Sequence, residues 1–133
     1  MSNWSHAVGV IRIDAFRLSG EIPDFDTLIG KECLFSSPES VWDDMDKNPK
    51  AYLPMGSEGS LQKSIWVNPD ISHMAAYTIT IFGDLRDHHD PDDLIIWFKD
   101  KCKFINDSGV GFIRQAVITV GNEINGTRTW TYE

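Results

Sequence analysis

The sequence predicts an α+β fold, an antiparallel sheet with helices on one face. Three observations carry that expectation. Runs of alternating or β-branched residues recur at His6–Asp14, Leu61–Val67, Met74–Phe82 and Phe112–Asn122. Two helix-start patterns, Ser37-Pro38-Glu39 and Asp90-Pro91-Asp92-Asp93, fall between them. Near the C-terminus, Asn125-Gly126 separates the last of these runs from one more strand-like stretch, a strong short-range hairpin signal.

With 133 residues, the chain is expected to fold as one domain, residues 1–133, and to need no covalent staples. His6–Asp14 reads as a central strand buried on both faces, because Val8, Val10, Ile11 and Ile13 leave almost no polar position. Gly9 marks a bulge or a close backbone approach. Asp24–Phe35 is ambiguous, since Gly30 interrupts the helical spacing of Phe25, Leu28 and Ile29. From Ser37 a helix is expected, with the serine hydroxyl as its cap and Pro38 as its first residue. Asn48-Pro49 ends it. Asn48–Ser60 reads as a loop whose Gly56-Ser57-Glu58-Gly59-Ser60 is flexible by composition.

Leu61–Val67 and Met74–Phe82 are expected to pair as a hairpin across Asn68-Pro69-Asp70, with Tyr77, Ile79 and Ile81 on one face and Thr78, Thr80 and Phe82 on the other. Asp90 is the predicted cap of the second helix, with Asp92 and Asp93 at the positive end of its dipole. Leu94, Ile95, Trp97, Phe98, Cys102 and Ile105 form its apolar face. A two-residue turn at Asn125-Gly126 would set Glu123 opposite Arg128, Asn122 opposite Thr129 and Gly121 opposite Trp130. Ile118, Val120 and Ile124 would then face the core, and Arg128, Trp130 and Tyr132 the other side. The first six elements resemble the ferredoxin-like order, two helices on one face of the sheet, with an extra C-terminal hairpin strand.

Catalytic motifs are missing. There is no nucleophile elbow, and Gly109-Val110-Gly111 precedes a strand where a phosphate loop would precede a helix. Cys33 and Cys102 sit in apolar surroundings and lie too far apart in sequence to form a motif. No cofactor is expected. His88, His89 and Asp87 are weak metal candidates at best, because adjacent imidazoles point apart and helix capping already explains the acidic residues. The N-terminus lacks the basic start and apolar run of a signal peptide, and no apolar run has membrane-spanning length, so a cytoplasmic location is expected.

The formal charge of −8 repels nucleic acid and anionic membranes, and attracts a basic protein. The expected function is therefore that of a small acidic, non-enzymatic protein-binding protein. An inhibitor of a basic nucleic-acid-binding partner fits, of the phage anti-defence or immunity type. The expected contact residues are Trp130, Tyr132 and Arg128 on an open sheet face, with the carboxylates of Asp43, Asp44, Asp87 and Asp92. Two alternatives stand beside it. One is a small-ligand or metal-dependent enzyme or binder with a site near Asp84–Asp93. The other is a structural homo-oligomer, such as a homodimer, pairing through the open sheet face.

Overall fold

The first apolar run forms β1, Trp4–Phe16. The computed structural model describes residues 3–16, 22–67, 74–88 and 90–132. Along β1, Ser5, Ala7, Ile11, Ile13 and Ala15 are buried, while His6, Val8 and Arg12 are exposed. Burial on both faces is thus corrected. β-branching made the run look continuous, but its true period is two, that of a strand covered on one side.

The position of β1 is central. It pairs antiparallel with β3, Met74–Arg86, and with β4, Phe112–Asn122. β2, Gln62–Val67, flanks β3, and β5, Gly126–Thr131, flanks β4. The result is a five-stranded antiparallel sheet in the order β2-β3-β1-β4-β5. The Asn68-Pro69-Asp70 turn and His73 lie outside the described residues.

Among the described residues, three α-helices accompany the sheet. α1, Phe25–Leu28, is a single turn capped by Asp24, whose carboxylate accepts from the Asp26 and Thr27 N–H groups. α2, Glu39–Lys47, buries no residue completely. Its serine cap is corrected: the Ser37 hydroxyl accepts from the Leu34 N–H instead, and Pro38 becomes the cap residue. α3, Pro91–Asp107, starts as expected, with the Asp90 carboxylate accepting from the Asp92 N–H at 2.9 Å. Its buried residues Leu94, Ile95, Phe98, Cys102 and Ile105 join Phe25 and Leu28 of α1 in one core with Ile11, Ile13, Ile79, Ile81, Ile118 and Val120. Gly9 lies under that helix. A Cβ there would sit 3.1 Å from the Phe98 ring and 3.2 Å from the Val117 carbonyl, so glycine permits the close approach. The sheet's irregularity falls elsewhere, opposite Arg12 and Ile13 in the pairing of β1 with β4.

The C-terminal hairpin departs most from expectation. Asn122 pairs with Gly126, Val120 with Arg128 and Ile118 with Trp130, three residues away from the predicted register. The cause is the Asn122 side chain. Its Oδ1 accepts from the Ile124 and Asn125 N–H groups at 3.0 and 2.8 Å, which closes a three-residue loop over Glu123–Asn125. Gly126 follows with φ 82°, the left-handed residue that a loop of this length requires. An odd shift turns every β5 side chain to the other face. Ile124, expected in the core, is exposed in the loop, and the Glu123–Arg128 and Gly121–Trp130 cross-strand pairs do not form.

The other end of the Asn122 amide faces inward. Its Nδ2 donates to the Ser5 hydroxyl and to the His88 carbonyl, both at 3.0 Å, and Ser5 itself donates to that carbonyl at 2.6 Å. Asn122→Ala should therefore destabilise the fold by about 2 kcal/mol, because buried partners lose their bonds. Urea unfolding checks this, and an unchanged midpoint would show that the node carries no net stability.

Candidate binding site

The new register places Trp130 and Tyr132 on the helix side of the sheet. Trp130 packs edge-on against Phe98 with ring centroids 5.8 Å apart, and the Lys99 ammonium lies 5.7 Å from its ring centre. The Tyr132 hydroxyl accepts from Asn106 at 2.7 Å. Arg128, opposite Val120, reaches Asp92 on α3 at 3.6 Å. These three residues thus fasten β5 to α3 and do not line the open face.

The acidic residues are engaged one by one. Asp44 accepts from the Tyr52 hydroxyl at 2.6 Å, which holds its carboxyl below the usual range and pushes the tyrosine up to about 12. Asp87, in a left-handed conformation at φ 60°, accepts from Ser57 at 2.6 Å. Asp43 is exposed on α2. His88 contributes its backbone carbonyl to the Asn122 node, and His89 lies outside the described residues. Among the described residues, no three His, Cys, Asp or Glu side chains come together in a way that could hold a metal ion.

What the open face does carry follows from the register. One row runs Gln62, Phe82, Val8, Thr119 and Thr129 across all five strands, and the next runs Ser64, Thr80, Val10, Val117 and Thr131. Val8 is 54% exposed and its cross-strand neighbour Phe82 39%. Trp66, 53% exposed, pairs with Thr78 toward the β2 edge. At one end His6 stands between two carboxylates, with Nδ1 2.7 Å from Asp84 and Nε2 3.4 Å from Glu123.

A second concave feature was not legible in the sequence. The start of β1, the segment before α2, α2 itself and the turn before β2 enclose a cleft of about 520 Å³. Trp4, Cys33, Phe35, Trp42, Met55 and Glu58 are among its lining residues. Phe35 is fully exposed. The Gly56–Ser60 wall is more tightly held than its composition suggests. Its backbone is laced to the end of β3: Ser57 N–H donates to the Arg86 carbonyl, and Arg86 N–H to the Glu58 carbonyl, both at 2.9 Å. A Cβ at Gly56 would sit 2.2 Å from the Arg86 oxygen, and one at Gly59 2.0 Å from the Asp84 oxygen. The glycines are there for contact with β3, a need that composition cannot reveal.

Two outcomes follow. Trp130→Ala should lower stability by about 3 kcal/mol, since the ring is packed against Phe98; thermal or urea unfolding measures it. The His6 imidazole should titrate above 6.5, chiefly through its hydrogen bond to Asp84. Because the folded value is the higher one, this pair stabilises fully below the unfolded value and is lost as pH rises through the folded one. Proton NMR of the imidazole checks it, and Asp84→Asn should bring the titration back down.

No protein-family model, no curated protein and no solved structure matches this chain.

Proposed function

We propose that this chain is a small acidic, non-enzymatic protein-binding protein of the inhibitor or immunity type, docking a basic partner on the open face of its sheet. One observation carries the reading: Val8 and Phe82, side by side on adjacent central strands, are exposed where the alternation of β1 and β3 leaves the sheet uncovered by its own helices. Val10 and Val117 lie in the next row, and Thr119 and Thr129, hydrogen-bonded to each other at 3.1 Å, continue the row of Val8 and Phe82. A contiguous apolar patch with a polar rim is the usual composition of a protein-docking surface.

Charge supplies the choice of partner. Asp84 and Glu123 stand at one end of the face, and the whole chain carries −8. Such a field accelerates encounter with a basic protein and opposes nucleic acid itself. A nucleic-acid-binding protein offers that basic surface, and an acidic chain seated on it would block the phosphate site. Asp43, Asp87 and Asp92 extend the acidic field around the molecule. We also infer a ferredoxin-like arrangement for the first four strands, supported by the adjacency β2-β3-β1-β4 and by α3 connecting β3 to β4. β5 is then an added edge strand.

Affinity capture with cross-linking tests the proposal. Wild-type chain should recover a protein of basic isoelectric point, and Val8→Asp with Phe82→Asp should lose it while unfolding at the same urea concentration. Recovery of the chain alone, with sedimentation showing a dimer that the same variants dissociate, would overturn it in favour of face-to-face self-pairing.

A further inference from the structure

We infer that the aromatic cleft beside the Gly56–Ser60 turn receives the ammonium-bearing side chain of a lysine on the basic partner, an inference that rests on the protein-docking reading above. Three aromatic residues, Trp4, Phe35 and Trp42, line it. Ring faces carry partial negative charge and attract an alkylammonium group, most strongly when water is excluded. Met55 and Cys33 give the walls an apolar surface suited to a four-carbon stem. Among the described residues that line the cleft, the charged one is a carboxylate, Glu58.

Further details fit a cationic guest. The Arg86 guanidinium holds Glu58 at 2.6 Å, fixing the carboxylate at the rim. Burial, and then the nearby Asp46 charge, push the Cys33 thiol up, so the inner wall stays neutral while acidic charge reaches it from α2. A volume of about 520 Å³ accommodates a long side chain and some of its adjoining backbone.

The site is preorganised. The backbone bonds between the glycine turn and β3 set one wall before any ligand arrives, which lowers the ordering cost of binding. It is also continuous with the open face. Trp4, which lines the cleft, follows the same alternation along β1 as His6 and Val8 of the open face, and Asp84 pairs with His6. A partner lying across Val8 and Phe82 would therefore present a side chain to the cleft at its acidic end.

Tryptophan fluorescence of the full chain, titrated with Nα-acetyl-lysine methylamide at constant ionic strength, tests this. A saturable change in the millimolar range is expected. The norleucine counterpart, with the same stem but no ammonium, should bind at least about tenfold more weakly. Phe35→Ala, at a fully exposed position that leaves folding intact, should weaken the lysine compound roughly fivefold, and Glu58→Gln should weaken it while leaving norleucine unchanged. Equal binding of the two compounds would reduce the cleft to a plain apolar pocket and overturn the inference, as would a lysine titration that never saturates. The docking reading fails separately. If the Val8 and Phe82 variants keep the partner but the lysine titration saturates, the cleft stands and the face does not.

Discussion

The fold turns on the amide of Asn122. Its oxygen shapes the last turn, and its nitrogen bonds Ser5 of β1 and the carbonyl of His88 in the connection to α3. One buried side chain thus couples the two central strands, the entry of the main helix and the register of the edge strand. Each bond alone has modest net value, but leaving so many buried partners unpaired would be costly. The register has the larger consequence. Because a strand's side chains alternate, the turn decides which residues of β5 meet α3 and which meet solvent.

That choice distributes the aromatic residues. With a three-residue loop, Trp130 and Tyr132 cover the flank of Phe98 and α3, while Thr127, Thr129 and Thr131 turn outward. The open face becomes a valine and threonine surface, with Val8 on its central strand and Phe82 beside it. A face of this kind is calm in water: its threonines hydrogen-bond one another, as Thr119 and Thr129 do, and its apolar area stays divided among short side chains. Its apolar centre would still gain from being covered.

Local signals were legible, and signals carried between distant segments were not. Asp90-Pro91 and the apolar period after it announced α3 because capping and periodicity are properties of neighbouring residues. The face assignment of Tyr77, Ile79 and Ile81 was readable for the same reason. Asn125-Gly126 announced a hairpin but not its register, since Asn122 competes for the turn N–H groups and wins. Ser37 similarly bonds Leu34 and does not cap α2. Gly56 and Gly59 looked like a flexible linker, yet their role is to let backbone touch β3, and nothing near them in sequence states that. The aromatic cleft draws on residues 4, 33–42 and 55–60, which only the tertiary fold brings together.

The glycine turn links these two levels. An ordinary residue at Gly59 would collide with the Asp84 carbonyl, pushing the turn off the end of β3. Arg86 would then lose its backbone bond to Glu58, and the cleft would lose one of its walls. The pairing of Glu58 with Arg86 would loosen with it, because the side-chain ion pair is exposed and gains little on its own. The backbone contact comes first and the charge placement follows from it. The geometry at this end of the sheet therefore depends on two residues without side chains.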